Sequence, residues 1–178
     1  MIKFGTGGWR AVIGEDFVCE NIRRVAAGVV ELAKEQNKAD KPIMVGYDRR
    51  FLSDMAAKWV AEVIAENGIE VWFSNRSAPT PLIMHTVKDK ELHFGIEITA
   101  SHNPSNYNGI KLIVDEGRDA PLEVTQRLEE IIENIDSVTF CEFDSAVKDG
   151  KIIYIRNPFN KFLDDIIALL DMDALRER

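Results

Sequence analysis

The sequence predicts an α/β domain with a mixed, mostly parallel sheet. The chain has 178 residues, of which 46% are hydrophobic, and this suits one domain with a sizeable core. Segments with helical periodicity alternate with short apolar runs, the pattern of an open α/β sheet. The third and fourth apolar runs are joined by about ten residues, fewer than a parallel crossover needs, so this pair is expected to be antiparallel.

The first half of the chain alternates helix and strand. Apolar residues at helical spacing predict a helix over residues 20–36, and the apolar run 43–47 predicts a buried strand. Ser53 is a favoured N-cap residue for the next helix, which Gly68 ends in a left-handed conformation before a strand at 69–73. The side chains that this second helix is expected to bury are Ala56, Trp59, Val60, Val63 and Ile64.

The second half of the chain is more often interrupted by proline. Pro81 suits the first turn of a short helix that ends near residue 86. The strands expected after it are residues 93–99, 110–114 and 151–155. Pro121 opens a helix whose apolar face contains Leu128, Ile131, Ile132 and Ile135. Asn157 and Pro158 cap a last helix, whose expected buried face is Phe159, Phe162, Leu163, Ile166, Ile167 and Leu170.

Composition excludes several classes of protein. The 22 basic and 30 acidic residues give a net charge of −8, which argues against a nucleic-acid partner. No apolar run approaches the roughly 20 residues that span a bilayer, and the start has no signal segment, so neither a membrane partner nor export is expected. Cys19 and Cys141 form neither a disulfide framework nor a zinc cluster, and a cytoplasmic location is therefore predicted.

The loop that carries most chemistry is Thr99-Ala100-Ser101-His102-Asn103-Pro104, which follows the third predicted strand. Ligands of open α/β sheets bind outside the carboxyl ends of the strands, so this position suits a functional loop. Lys111, at the start of the next strand, can place its ammonium group at the same end of the sheet. From the residues alone, a polar turn that only satisfies its own backbone is an equal alternative.

A serine hydrolase is not supported by this loop. The nucleophile of an α/β-hydrolase lies in G-x-S-x-G, whereas Ser101 is flanked by Thr99 and Asn103. Neighbouring side chains also tend to point apart, so His102 is expected to be poorly placed as a base for Ser101.

Two further segments combine glycine with cations. Residues 4–10, FGTGGWR, are expected to form a flexible loop whose N–H groups could hold phosphate beside Arg10, although alone they favour an ordinary flexible terminus. In residues 46–50, GYDRR, Asp48 could orient an arginine towards the sheet edge, but for Arg49 and Arg50 individually a solvated turn is favoured. His85 and His93 are expected to be structural.

In this order, FGTGGWR, GYDRR and GIEITASHNPSNYNGIK closely resemble the first domain of the α-D-phosphohexomutases, the phosphoglucomutase and phosphomannomutase superfamily. The motifs cover about residues 1–135. The resemblance implies a three-layer α/β/α domain over residues 1–155 that carries a phosphoserine loop. Residues 156–178 would then be a C-terminal helix and the start of a linker to a second domain.

The resemblance also implies an activity and its residues. Ser101 matches the phosphoserine, which transfers its phosphoryl group to a hexose phosphate and gives a hexose 1,6-bisphosphate intermediate. His102, Lys111 and Arg10 match positions beside the reacting hydroxyl. Mg²⁺ is the implied cofactor and contacts Ser101 through its phosphate. The implied partners are the hexose phosphate substrate and the remaining domains of the polypeptide.

The chain departs from the family in what it lacks. The DxDxDR metal loop, the GEMSGH-like sugar loop and the phosphate-binding loop of the later domains do not occur in it. We therefore expect no turnover and poor Mg²⁺ affinity from this chain alone. A free-standing module that binds a phosphosugar or a partner without catalysis is the alternative. A domain cut from its neighbours is also expected to expose apolar surface.

Overall fold

The computed structural model describes residues 2–5, 7–156, 158–172 and 175. Among these residues the strands are β1 (Phe4–Gly5), β2 (Gly8–Val12), β3 (Ile43–Tyr47), β4 (Val71–Ser74), β5 (Phe94–Ile98), β6 (Tyr107–Val114), β7 (Arg118–Asp119) and β8 (Ile152–Ile155). The α-helices are α1 (Cys19–Glu35), α2 (Ser53–Glu66), α3 (Thr80–Asp89), α4 (Leu122–Glu133), α5 (Phe143–Lys148) and α6 (Pro158–Ala168).

The strands form one mixed sheet in the order β1-β2-β6-β5-β3-β4-β8, with β7 paired to β6. β3 pairs in parallel with β5 and β4, and β4 pairs in parallel with β8. β5 and β6 are antiparallel, as the short connection between them predicts. The carboxyl ends of β5, β3 and β4 therefore meet at one edge of the sheet, and the loop that contains Ser101 leaves from that edge.

Helices cover both faces of the sheet and give the predicted three layers. Val45 faces a large apolar cluster that includes residues of α1, α2 and α4, whereas its neighbour Met44 faces a smaller cluster built on α3. This alternation follows from the two-residue period of a strand. Gly95 on β5 brings the α3 face close to the sheet, because a Cβ there would lie 2.6 Å from a methyl group of Val87.

The amino-terminal motif is a strand pair, and the expectation of a flexible loop over residues 4–10 is wrong for the part that the structure describes. β2 pairs along its whole length with β6, and Trp9 is only 2% exposed. Gly8 permits this close approach, since a Cβ there would lie 2.8 Å from the carbonyl oxygen of Ile110. Thr6 of the motif lies outside the described residues. Pairing with a distant strand, rather than local propensity, orders this segment.

The last helix is exposed, contrary to the expectation of a buried apolar face. α6 has no buried residue, and Leu163 and Ile167 are 50% and 49% exposed. Only Phe159 and Phe162 pack against the α3 cluster. α6 lies outside α3, so only one side of it contacts the rest of the described protein. The predicted cap residue Asn157 lies outside the described residues.

Smaller differences occur at element ends. Ser53 is the first residue of α2 rather than its N-cap, and Leu52 precedes it at φ +70°. α3 continues to Asp89, and α4 ends before Ile135. The short helix α5 is missing from the sequence prediction, and the Glu142 carboxylate caps it by accepting bonds from two backbone N–H groups. No helix in the described part of the chain has the length and apolar character that a bilayer span requires.

Candidate functional site

Strand register places the predicted cations on one face of the sheet. Lys111 on β6 is the cross-strand partner of Gly8 on β2 and of Glu97 on β5. Two residues along, Arg10 is the partner of Gly109, whose carbonyl accepts a bond from the Thr99 N–H at 3.0 Å. Directly paired residues point to the same face, so Arg10 and Lys111 lie on the face that also carries Thr99.

Ser101 lies exposed in the loop between β5 and β6, in a left-handed conformation with φ +56°. Its backbone N–H donates to the Thr99 hydroxyl at 3.0 Å, and the Asn103 N–H donates to the Ala100 carbonyl at 3.0 Å. Few residues other than glycine adopt this region, and such conformations persist where surrounding bonds enforce them. The loop is therefore an ordered turn that presents the Ser101 hydroxyl to solvent.

His102 contacts the serine beside it. Its Nδ1 lies 3.3 Å from the Ser101 Oγ, so the expectation that these neighbouring side chains point apart is wrong. The left-handed backbone at Ser101 turns the two side chains towards each other. Among the described residues no carboxylate bonds to the His102 ring, so the third member of a hydrolase triad is missing there.

Arg50 holds the loop from behind. Its Nη1 donates to the carbonyl oxygens of Pro104 and Tyr107 at 2.9 and 3.1 Å. Its Nη2 donates to those of Ser101 and Asn103 at 2.8 and 2.6 Å. The solvated turn expected for Arg50 is therefore wrong, because a charged guanidinium binds three carbonyls of the loop and that of Tyr107, the first residue of β6.

A small polar network fixes Arg50 in turn. Asp48 lies 3.5 Å from the Arg50 Nε and accepts bonds from the Ser53 hydroxyl at 2.7 Å and the Arg50 N–H at 2.8 Å. Asn108 donates to the Ser53 hydroxyl at 2.8 Å, and both side chains are fully buried. We call Arg50, Asp48, Ser53 and Asn108 the Arg50 clamp. Asp48 thus orients an arginine towards the sheet edge, as the sequence suggested.

Arg49, by contrast, is exposed and leaves the loop untouched, in agreement with a solvated turn. Its Nε donates to the Ser77 hydroxyl at 3.2 Å. One feature of the sequence indicates that Arg50 and Arg49 have different roles. Asp48 and Arg50 have an Asp-x-Arg spacing at the end of a strand that neighbours the strand before the Ser101 loop. The carbonyls that Arg50 binds lie more than 50 positions away, so local pattern could not identify them.

The two predicted cations have different surroundings. The Lys111 ammonium forms an ion pair with Asp119 at 2.7 Å and its side chain is 15% exposed. The Arg10 Nε is buried and has no hydrogen-bond partner among the described residues. Ser101, His102, Arg10 and Lys111 are thus carried by β2, β6 and the loop between β5 and β6, adjacent parts of the sheet.

Glu97 is a buried carboxyl group that the sequence analysis did not single out. It is fully buried on β5, and neither carboxyl oxygen has a hydrogen-bond partner among the described residues. Burial, and secondarily the charge of Asp48, raises its pKa well above the usual value, while Lys111 acts in the opposite direction. Gly46 makes room for it, since a Cβ there would clash with the Glu97 carboxylate.

The carboxylates that the structure describes do not fit a magnesium site. Within the described ranges, no three His, Cys, Asp or Glu side chains converge in a way that could hold a metal ion. Asp48 is bound to Arg50, and Asp119 is bound to Lys111. Burial raises the pKa of the Glu97 carboxyl well above its usual value. A Mg²⁺ ion on a Ser101 phosphate would need carboxylates that these residues do not offer.

The remaining histidines lie in contacts between elements. His85 of α3 lies 2.7 Å from the Asp165 carboxylate of α6, and His93 lies 2.8 Å from that of Asp115. These pairs hold neighbouring segments together, in line with the structural role expected for both histidines.

Comparison with known proteins identifies the family of this domain. Residues 1–139 match the family model described as "Phosphoglucomutase/phosphomannomutase, alpha/beta/alpha domain I". A phosphoglucomutase of Staphylococcus saprophyticus is 35% identical over 96% of this chain and 33% of its own length. A phosphoglucosamine mutase of Caldicellulosiruptor saccharolyticus is 33% identical over 84% of this chain and 33% of its own length.

Solved structures agree with this match. A crystal structure of a putative phosphomannomutase from Thermus thermophilus superposes with a TM-score of 0.86 at 28% identity, over 98% of this chain and 37% of that one. The chain spans about a third of the length of the curated relatives it matches. It belongs to the phosphoglucomutase/phosphomannomutase family, of which it carries the α/β/α domain I.

Proposed function

We propose that this chain is the phosphoserine domain of a hexose-phosphate mutase that interconverts hexose 1-phosphate and hexose 6-phosphate, with glucose or mannose as the sugar. The observation that carries the proposal is the exposed Ser101 in a loop whose backbone the Arg50 clamp holds from behind. A serine that carries a phosphoryl group needs such fixed presentation, because phosphoryl transfer depends mainly on positioning and on stabilisation of charge.

The proposed first step transfers the phosphoryl group from Ser101 to the sugar. A hydroxyl oxygen of the hexose monophosphate attacks phosphorus, the bond between phosphorus and the Ser101 Oγ breaks, and a hexose 1,6-bisphosphate forms. The proton of the attacking hydroxyl leaves to a base, for which His102 and Lys111 are the candidates, and the departing Ser101 Oγ takes up a proton to become a hydroxyl. Arg10 supplies positive charge to the phosphoryl oxygens, and so does Lys111 on the same face when His102 is the base.

The second step reverses the first at the other end of the sugar. After the bisphosphate has reoriented, the Ser101 hydroxyl gives its proton to the same candidate base, and its Oγ attacks the second phosphate. The bond from phosphorus to the sugar oxygen breaks, and that oxygen takes a proton as it leaves. The serine is again phosphorylated, so it needs no permanent base of the hydrolase kind.

Several parts of the proposal lie outside this chain. Mg²⁺ is proposed as the cofactor of the complete enzyme, where it would supply charge at the phosphate on Ser101, with carboxylates from the remaining domains. Those domains and the hexose phosphate are the proposed partners. We propose neither a nucleic acid nor a membrane as a partner, and the proposed compartment is the cytoplasm. The isolated chain is predicted to be inactive.

A turnover assay tests the proposal. The full-length polypeptide that contains this chain is incubated with glucose 1-phosphate or mannose 1-phosphate, the matching 1,6-bisphosphate and Mg²⁺, and hexose 6-phosphate is measured. We expect turnover that Ser101→Ala abolishes. Ser105→Ala is the matched control, because Ser105 is an exposed serine of the same loop, and this variant should remain active.

Full activity in Ser101→Ala would overturn the role of that serine. If the gene instead stops after Arg178 and its product binds hexose phosphate without turnover, the chain is the non-catalytic module. Turnover by the isolated chain would contradict the predicted need for further domains.

A further inference from the structure

A cavity opens at the carboxyl ends of β3 and β4. It has a volume of about 560 Å³, and its wall includes Asp48, Arg49, Arg76, Ser77 and Phe159. We call it the Arg49–Arg76 cavity. In the sheet order, β3 separates β5, which carries the Ser101 loop, from β4, so this cavity lies beside the site around Ser101. Arg49 also lines a neighbouring pocket with Asn103 and Ser105 of the Ser101 loop, whereas Arg76 does not.

Both arginines are held by neutral groups. The Arg49 Nε donates to the Ser77 hydroxyl at 3.2 Å, which leaves its two terminal nitrogens for other acceptors. The guanidinium carbon of Arg76 lies 3.9 Å from the centroid of the Phe159 ring. Stacking on an aromatic ring fixes the plane of a guanidinium and leaves its edge for hydrogen bonds.

Neither arginine has a carboxylate ion-pair partner in the part of the chain that the structure describes. Across the described parts of the chain, no Asp or Glu lies within ion-pair distance of Arg49 or Arg76. Asp48 is the acidic residue in the cavity wall, and its carboxylate is already bound to Arg50 and Ser53. Two guanidinium groups without an ion-pair partner in the described parts of the chain thus face one cavity, and Asp54 lines an adjoining pocket together with both of them.

The amino terminus of α3 adds to this positive potential. α3 runs over ten residues from Thr80, and Pro79, which precedes it, lines the cavity. The first turn of a helix carries a partial positive charge and attracts anions. Here that effect comes in addition to two guanidinium groups and the Ser77 hydroxyl.

From this arrangement we propose that the Arg49–Arg76 cavity binds the phosphate group of a small phosphate monoester. Planar guanidinium edges match phosphate oxygens in pairs, and the volume lies in the range of roughly 300–1,000 Å³ that small-molecule sites occupy. Phe159 offers an apolar surface to the body of the ligand. The site does not require Ser101 to be phosphorylated, so it stands apart from the proposed mutase chemistry.

Titration of this chain with inorganic phosphate, glucose 6-phosphate and uncharged glucose, followed by NMR, tests the proposal. We expect saturable binding of the two phosphates with a Kd on the order of 1 mM or tighter, and none of glucose. Arg49→Gln and Arg76→Gln should each weaken binding about tenfold. Arg118→Gln is the matched control, since it removes the same charge from an exposed arginine outside the cavity.

Lys111→Gln separates this site from the one at Ser101. If the proposal holds, Lys111→Gln changes the affinity less than twofold, and so does Arg118→Gln. Loss of binding in Lys111→Gln with retention in both cavity variants would assign the phosphate to the Ser101 site and overturn the proposal. Equal losses in all variants, or no saturable binding by the wild-type chain, would overturn it too. Circular dichroism checks that each variant is folded.

Discussion

The Ser101 loop and helix α6 show opposite relations between polarity and order. The loop is polar and exposed, yet Arg50 binds three of its carbonyl oxygens and a fourth at the start of β6. The buried Ser53 and Asn108 side chains support the carboxylate behind Arg50. α6 has an apolar face, yet most of its large apolar side chains are exposed, with Leu169 just beyond it at 86%. It is held to α3 by Phe162 packing and by the pair of His85 and Asp165.

The difference teaches where fixed geometry comes from in this domain. Most buried polar groups in proteins are paired, and in the Arg50 clamp each member specifies the position of the next through its hydrogen bonds. An apolar helix face specifies only that something should cover it. We therefore expect substitutions in the clamp to be costly and substitutions on the open side of α6 to be nearly neutral.

Arg50→Ala should have the largest effect. It removes bonds from a charged donor to four carbonyls, so we expect a loss of about 3 kcal/mol in the free energy of unfolding. Hydrogen exchange of the amides at residues 101–107 should also accelerate. Arg49→Ala is the matched control: Arg49 is the exposed neighbour and should cost less than about 0.5 kcal/mol. Equal losses in urea unfolding of the two variants would show that the clamp does not hold the loop.

Ser53→Ala should have the next largest effect, about 1–2 kcal/mol, because the buried Asn108 amide and the Asp48 carboxylate each lose a partner. The double variant with Arg50→Ala should lose less free energy of unfolding than the sum of the two single losses, because both residues act in one network. Strict additivity in the double-mutant cycle would contradict a shared network.

Glu97→Gln should stabilise the domain in a pH-dependent way, by less than the Arg50→Ala loss at neutral pH. Burial, together with Asp48, raises the pKa of Glu97 in the folded state. As the pH rises, the carboxyl therefore loses its proton at a lower pH in the unfolded chain than in the folded one. The stability from Glu97 is fully present below its unfolded pKa of about 4.3 and declines as the pH rises towards the folded pKa. Glutamine does not titrate, so its advantage in urea unfolding should be larger at pH 8 than at pH 5. An advantage independent of pH would refute this.

Leu169→Ser should have the smallest effect on stability, within about 0.5 kcal/mol, because the side chain is almost fully exposed. If the open side of α6 mediates self-association, as expected for exposed apolar surface, sedimentation velocity should show less of it in this variant. A large loss of stability would mean that the residue is covered, and the contrast with the loop would fail.

Sequence reasoning succeeded where local pattern decides structure. The strand at 43–47 and the antiparallel pairing of β5 with β6 follow from an apolar run and a connection too short for a crossover. It failed where distant residues decide. β2 is ordered by its pairing with β6, and Arg50 is positioned by carbonyls far along the chain. The buried position of Glu97 depends on the space that the missing side chain of Gly46 leaves. For α6, periodicity identified an apolar face but not what covers it.

The site followed the same division. Ser101, His102, Arg10 and Lys111 stand in motifs that sequence alone brings to notice, and the structure places them on adjacent parts of one sheet. The groups that position them, Asp48, Arg50, Ser53 and Asn108, have no periodicity or spacing that reveals their mutual contacts.

The central claim, that Ser101 carries the phosphoryl group, is tested most directly by mapping phosphate on the full-length polypeptide after incubation with glucose 1,6-bisphosphate and Mg²⁺. Peptide mass spectrometry should find one phosphate, on Ser101, and none in Ser101→Ala, while Ser105→Ala is labelled as the wild type is. Phosphate on another residue of a protein that turns over hexose phosphate, with Ser101 unmodified, would contradict the claim.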